Sequence, residues 1–267
     1  MKVVILAGGR GTRISEESQI RPKPMVELGG NPILWHIMKT YSYYGFNDFI
    51  ICCGYKGYMI KEYFYDYYMH RSDITFDFAN ENKMIIHNNV AEPWKVTVVD
   101  TGLNTQTGAR IKRVQKYIGD EPFMLTYGDG VSNVDIKKLV KFHEQNKKIV
   151  TMTAIQPGGR FGVLDIGKNS IIERFTEKNK EDGGWINGGY MVVEPKIFDY
   201  LNDAPDLVFE RDPLESVAKD QGLIAFKHTG FWQCMDTMRD RIILDGMIEE
   251  HNAPWMVWDN EQRVLEK

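Results

Sequence analysis

The sequence predicts an α/β protein: a mainly parallel sheet flanked by helices, with a small β-rich insertion and a C-terminal helix. Short β-branched apolar runs, each bounded by Gly, Pro or polar residues, alternate with segments whose apolar residues recur at helical spacing. Alternation of this kind implies parallel strands buried beneath helices. The 267 residues, 43% hydrophobic and 12% aromatic, also carry enough apolar surface for one large core.

Val3–Ala7 reads as the first buried strand. Ile33, Leu34, Ile37, Met38 and Tyr41 share one face of the helix that follows. Phe49–Cys53 is the next strand, in which Cys52 and Cys53 point to opposite faces. Residues 58–100 break the alternation: a Tyr/Phe-rich, helix-like stretch precedes candidate strands Ile74–Phe78, Met84–His87 and Lys95–Val99. This region reads as an insertion or a subunit-contact region, and the tyrosines at 55, 58, 63, 65, 67 and 68 as a packing surface. Phe123–Tyr127 and Ile149–Ile155 are further strands. Between them Ile136, Leu139, Val140 and His143 repeat at i, i+3, i+4, i+7, which makes His143 a histidine at the edge of the core. A helix from about Met235 to Glu250 and an apolar tail, Pro254–Trp258, close the chain. The expected organisation is a core of residues 1–234, with the insertion at 58–100, followed by a C-terminal helix and aromatic tail over 235–267.

Composition excludes several function classes. Thirty-three Lys and Arg against 37 Asp and Glu give a formal net charge of −4. No bulk basic field exists for nucleic acid or an anionic membrane, so a bound anion must meet a local basic site. Three cysteines make no disulfide framework, which fits a reducing, cytoplasmic setting. The opening apolar stretch is too short for a signal peptide, and no run approaches the roughly 18 apolar residues of a membrane span. An untargeted, soluble protein is expected.

Local basic chemistry lies directly after the first strand. In Leu6-Ala7-Gly8-Gly9-Arg10-Gly11-Thr12-Arg13 the glycines let the backbone turn tightly and present N–H groups to a phosphate chain, and Arg10 and Arg13 add cationic forks. Two better-known glycine motifs fail on spacing: a dinucleotide fingerprint needs glycine where Ile14 stands, and a P-loop needs Gly-Lys-Ser/Thr. In Arg21-Pro22-Lys23-Pro24-Met25, prolines on both sides of Lys23 restrict the backbone and hold one ammonium in a defined direction, which suits a polyphosphate. Asp129, in Gly128-Asp129-Gly130, stands just beyond a strand, at the sheet edge where open α/β sheets bind ligands. Taken by itself, the Asp of Gly-Asp-Gly is more often a turn residue.

Leu-Ala-Gly-Gly-x-Gly-Thr-Arg followed by Pro-Lys-Pro-Met resembles the signature of the sugar-1-phosphate nucleotidyltransferases, or sugar-nucleotide pyrophosphorylases. Further segments stand in that family's order over nearly the whole chain: Gly30–His36, Tyr127–Gly130, Phe161-Gly162, Glu177-Lys178, Asn187-Gly188-Gly189 and Gln233–Thr237. The resemblance implies a modified Rossmann-like α/β core and in-line attack by a sugar 1-phosphate on the α-phosphorus of a nucleoside triphosphate. It assigns Arg13, Lys23 and Asp129 to catalysis, and Leu6, Ala7, Gly8, Gly9, Arg10, Gly11, Thr12, Arg13, Lys23 and Gly128 to the nucleotide. Gly162, Glu177, Lys178 and Asn187 fall to the sugar phosphate, and Asp129 with Asp236 to Mg²⁺. Cys52–Tyr58, Glu92-Pro93-Trp94, Asp100–Gly102 with Thr107–Arg110, and Phe231-Trp232-Gln233 resemble the branch that joins CTP to glucose 1-phosphate for surface polysaccharides.

This chain departs from the wider family at two places. Asn179 replaces the proline that commonly follows Glu-Lys, and residues 100–110 replace a Gln-Pro-x-Gly-x-Ala stretch that meets the base. Thr105, Thr107 and Arg110 are therefore the candidates for reading cytosine, and Arg110 equally fits a solvated helix charge. A homo-oligomer, with a hexamer as one form of it, is implied by resemblance only. Competing readings are the same chemistry with UTP or dTTP, and a non-catalytic subunit that binds a sugar nucleotide.

Overall fold

The computed structural model describes the chain apart from residues 12, 13, 15, 16, 18, 157–162, 177–183 and 260–267. Its principal elements, in chain order, are β1 (Val3–Ala7), α1 (Ile33–Tyr43), β2 (Asp48–Cys53), α2 (Gly57–Tyr65), β3 (Asp73–Asp77), β4 (Lys83–His87), β5 (Lys95–Asp100), α3 (Thr107–Arg113), β6 (Phe123–Tyr127), β7 (Gly130–Ser132), α4 (Ile136–Asn146), β8 (Val150–Ile155), β9 (Ile186–Val193), α5 (Asp212–Lys219), β10 (Leu223–Lys227), β11 (Trp232–Cys234) and α6 (Met238–Glu249).

Seven strands form one sheet in the order β10-β8-β9-β6-β1-β2-β5. β1 pairs parallel with β2 on one side and with β6 on the other, β5 is parallel to β2, and β10 is parallel to β8. β9 runs antiparallel to both β6 and β8. Because chain order reverses across β1, the carboxyl ends of β1 and β6 open a crevice where such sheets bind ligands. Alternate residues of each strand enter opposite cores. Val3, Ile5 and Cys53 join Ile33, Leu34 and Ile37 of α1 on one face; Val4, Leu6 and Cys52 join Ile111 of α3 and Leu214 of α5 on the other. Cys52 and Cys53 are thus divided between the two cores, and both are free thiols. Burial pushes the Cys53 thiol up to about 12, leaving it a packing residue.

Several elements differ from expectation, among them β10, an edge strand of the main sheet that the sequence reading left out. Of the strands anticipated within 58–100, the first two form the hairpin β3–β4, but the third, Lys95–Asp100, is the edge strand of the main sheet, in register with β2. β9 was not anticipated, because Gly188 and Gly189 interrupt its apolar run. The C-terminal helix starts at Met238, where a capping box sets its first turn: Thr237 Oγ1 accepts from the Asp240 N–H, and Asp240 accepts from the Thr237 N–H.

His143 is buried between Thr151 Oγ1 at 2.8 Å and Glu194 Oε1 at 3.1 Å, a core-edge position. Tyr63 and Tyr67 pack on one another and Tyr67 stacks on Trp94, whereas Tyr58, Tyr65 and Tyr68 are exposed. The tail returns to the body: Trp255 is fully buried and donates its Nε1–H to His36 Nδ1 at 3.3 Å, and Trp258 meets Trp35 edge-on. Among the described residues no helix is long and apolar enough to cross a membrane.

Candidate active site

At the carboxyl ends of β1 and β6 lies a cleft of about 260 Å³, lined by Leu6, Ala7, Gly8, Gly9 and Gly11 from the glycine loop and by Lys23, Pro24, Thr105, Gln106, Thr107, Arg110, Tyr127, Gly128 and Asp129. The floor is fixed by backbone: Gly128 N–H donates to Leu6 O at 3.0 Å, tying the end of β6 to the end of β1.

Asp129 and Asp236, 107 positions apart in the sequence, are brought together by a short two-stranded sheet. β11 pairs antiparallel with β7, Cys234 opposite Gly130, and the next residue, Met235, donates its N–H to Asp129 O at 2.8 Å. Asp240 of the capping box accepts from the Asp236 N–H at 3.1 Å, so the helix start holds this carboxylate's backbone as well. Lys23 sits on a single-turn 3₁₀ segment, Lys23–Met25, and its Nζ donates to Asp129 Oδ2 at 2.7 Å and to Asp236 Oδ1 at 2.5 Å. Lys23 and Asp236 are almost fully buried. Burial on its own lowers the Lys23 pKa, but the nearby carboxylates, Asp129 foremost, outweigh it and hold the ammonium above its ordinary value. The same surroundings of burial and negative charge push the Cys234 thiol far up.

On the other side of the cleft, Arg110 is 4% exposed, not a solvated helix charge. Its Nη1 donates to Cys53 O at 2.9 Å and Thr101 Oγ1 at 2.7 Å, and its Nη2 to Gly8 O at 3.0 Å. This explains Gly8: a Cβ there would lie 2.1 Å from Arg110 Nη1. Thr105 Oγ1 accepts from Arg113 Nη1 at 2.7 Å. Thr107 Oγ1 donates to Glu210 Oε2 at 2.6 Å and accepts from Phe209 N–H at 2.9 Å. All three candidate base readers therefore border the cleft while their polar groups bond within the protein.

Arg10 does not line the cleft; its Nη2 reaches Asn104 Oδ1 at 3.0 Å on the exposed rim. Asn187, on β9, stands behind Tyr127, its Nδ2 donating to the Tyr127 hydroxyl at 3.0 Å. Thr12, Arg13, Gly162, Glu177 and Lys178 lie outside the described residues. Gln106, Tyr127 and Glu210 escaped sequence reasoning. Tyr127 directly precedes Gly128-Asp129 on β6, a position that could have flagged it; Glu210 lies in a loop without a motif.

Residues 2–233 match the family described as nucleotidyl transferase. The chain belongs to the nucleotidyl transferase family. This nucleotidyl transferase is 54% identical over 261 residues to the glucose-1-phosphate cytidylyltransferase of Salmonella typhimurium, spanning 97% of the chain and 100% of that protein. It is 43% identical over 258 residues to a probable glucose-1-phosphate cytidylyltransferase of Bacillus subtilis, spanning 97% of the chain and 100% of the relative. Among solved structures, HddC from Yersinia pseudotuberculosis superposes with a TM-score of 0.72 at 26% identity, over 92% of this chain and 99% of that one. A UDP-glucose pyrophosphorylase with UDP-glucose superposes at 0.73 and 17% identity, over 94% and 98%, which speaks for the fold alone.

Enzymes of this family generally use a divalent metal, and the donor set fits one. Two carboxylate oxygens from separate elements already converge on a single cation, the Lys23 ammonium. Among the described residues no group of three or more His, Cys, Asp or Glu side chains is placed to hold a metal. A hard ion bound by the two aspartates would take its remaining ligands from phosphate oxygens and water, the habit of Mg²⁺.

Proposed function

We infer that this chain transfers CMP from CTP to glucose 1-phosphate, giving CDP-glucose and pyrophosphate. The observation that carries the reading is the meeting of Lys23, Asp129 and Asp236, remote in sequence, beside a glycine-lined cleft at the sheet's carboxyl edge. The choice of CTP and glucose 1-phosphate follows the relatives at 54% and 43% identity.

A phosphate oxygen of glucose 1-phosphate attacks the α-phosphorus of CTP. The new P–O bond forms as the bond to the bridging α–β oxygen breaks, and pyrophosphate leaves with that electron pair. The attacking oxygen is already anionic, so no side-chain nucleophile or base is required. The protein must hold two mutually repelling anions in line and neutralise charge in the transition state. Gly8, Gly9 and Gly11 present backbone donors and clearance; Lys23 and Arg13 meet the triphosphate and the leaving pyrophosphate. Asp129 and Asp236 hold Mg²⁺, which when bound neutralises phosphate charge and polarises the α-phosphoryl group. Thr105, Thr107 and Arg110 shape the base pocket, and the family resemblance assigns Gly162, Glu177, Lys178 and Asn187 to the sugar phosphate.

The exposed hairpin β3–β4 carries Phe76, Met84 and Ile86 on one face, with Phe78 stacked on Phe76, an apolar face suited to a second copy of the chain in a homo-oligomer such as a hexamer. A cytoplasmic enzyme supplying surface polysaccharide synthesis, with no nucleic-acid or membrane partner, completes the reading. Incubating the pure protein with Mg²⁺, glucose 1-phosphate and each nucleoside triphosphate in turn, and measuring pyrophosphate, tests it. Release with CTP is expected. Release with UTP or dTTP alone transfers the specificity, and no release with any of them removes the catalytic reading in favour of a binding subunit.

A further inference from the structure

Glu210 lies in the loop before α5 and makes no ion pair among the described residues, yet both its oxygens are taken. Oε2 accepts from Thr107 Oγ1 at 2.6 Å and Oε1 from the Tyr127 hydroxyl at 2.5 Å. Both donors line the cleft from different walls: Thr107 opens α3 on the base side, and Tyr127 ends β6 next to Gly128-Asp129. From Tyr127 the chain of bonds continues. The Tyr127 oxygen accepts from Asn187 Nδ2 at 3.0 Å, and Asn187 Oδ1 accepts from the Gly189 N–H at 2.8 Å. Gly189 has φ +84° and a Cβ there would stand 2.7 Å from the Tyr127 ring, so the ring is seated against backbone that only glycine supplies.

The direction of these bonds follows from one charge. A carboxylate only accepts, so Glu210 orients the Thr107 and Tyr127 hydroxyl protons toward itself. The Tyr127 oxygen is then left to accept, which fixes the Asn187 amide with its nitrogen toward the tyrosine and its oxygen toward Gly189. One Asn187 N–H is thereby committed to Tyr127 and its Oδ1 to Gly189, which sets the orientation of the whole amide. An anionic group bonded to the walls of a site for two anions is unfavourable through space, so what Glu210 contributes there is geometry: two hydroxyls of separate walls held on one carboxylate.

We propose that Glu210 is a positioning residue that locks the nucleotide wall at Thr107 and the sugar wall at Asn187 into one arrangement through Tyr127. The assignment of the two walls rests on the cytidylyltransferase reading above. The test combines kinetics with a readout that needs no turnover. Glu210→Ala is expected to raise KM for both CTP and glucose 1-phosphate about tenfold, the scale of losing a charge-assisted hydrogen bond, with kcat within about threefold of wild type. Glu210→Gln keeps the shape and one accepting oxygen, so one of the two KM values returns to within about twofold of wild type. Tyr127→Phe cuts the bond to Asn187 and leaves Thr107–Glu210 intact, so only KM for glucose 1-phosphate rises. Exchange of the Asn187 side-chain amide protons, followed by NMR, should show one slow proton in wild type that exchanges at least roughly tenfold faster in Tyr127→Phe, on the same energetic scale. Should Glu210→Ala fail to fold, Tyr127→Phe carries the kinetic test alone. The proposal is overturned if Tyr127→Phe changes neither that proton nor KM, or if Glu210→Ala shifts only one KM. If the wild type turns over no substrate, the cytidylyltransferase reading fails, and the same amide exchange measured in Glu210→Gln against wild type still decides the role of Glu210: an unchanged slow proton there overturns it.

Discussion

Two buried cations face each other across the cleft, and their partners differ. Lys23 is held by two carboxylates, whereas Arg110 is held by two backbone carbonyls and a hydroxyl, with no carboxylate in ion-pair contact among the described residues. A cation matched to anions has its charge cancelled locally and can be re-partnered when another anion or cation enters. A cation matched to neutral dipoles keeps its field, and its hydrogen bonds make it part of the frame. Burial accordingly pulls the Arg110 pKa down from its ordinary value while the carboxylates lift that of Lys23. The lesson is that one cleft can hold an exchangeable charge and a fixed one, and that their partners tell them apart.

The largest test breaks the exchangeable side. Asp129→Asn should lower turnover by at least roughly 10²-fold, on the scale of one lost preorganised electrostatic contact, with the melting temperature near wild type; pyrophosphate release and calorimetry check the two halves. Arg110→Met breaks the fixed side, leaving Gly8 O, Cys53 O and Thr101 Oγ1 short of a donor, and should destabilise the protein by roughly 2–4 kcal/mol. Urea denaturation measures it. Unchanged stability with lost CTP affinity would make Arg110 a ligand contact instead of a frame residue.

A third buried group sharpens the contrast because it stays neutral. His36 donates Nε2–H to Leu28 O at 2.9 Å, and burial lowers its pKa to about 4. Its folded pKa lies below the 6.5 of a free histidine, so the unfolded chain takes up the proton first. Stability is therefore full above about pH 6.5 and falls toward pH 4, by roughly 3 kcal/mol at most. Denaturation midpoints at neutral and mildly acidic pH, compared with His36→Gln, check that slope. The smallest effect is expected far from all three groups. Phe76→Ser with Phe78→Ser on the hairpin should change subunit stability by no more than about 0.5 kcal/mol while lowering the mass seen by light scattering. An unchanged mass would remove the hairpin from subunit contact.

The parallel core strands were legible because runs buried on both faces are apolar throughout, as Val3–Ala7 and the stretch Phe49–Cys53 illustrate. β9 was not, because the glycines that seat Tyr127 and Trp232 against its backbone read as a loop. Lys23 was legible from its flanking prolines, and Asp129 from its place after a strand. Their meeting with Asp236 was expected from the family resemblance alone, since sequence spacing carries no sign that β11 would pair with β7. The bond partners of Arg110 were equally hidden. A helical arginine before an apolar residue looks the same whether it meets water or carbonyls, and only the approach of Gly8 and Cys53 decides. Glu210 had no local pattern, because its role lies in two hydroxyls from remote elements.

The pairing of β11 with β7 also dictates when the site can exist. Lys23 and Asp236 are 213 positions apart, so a nascent chain on the ribosome carries its phosphate loop long before the strand that delivers the second acid has been made. Trp255, which bonds to His36 of α1, emerges later still. A product truncated anywhere before that strand would keep the glycine turn and lack the acidic partner, and assembly of the cleft is therefore among the last events of synthesis.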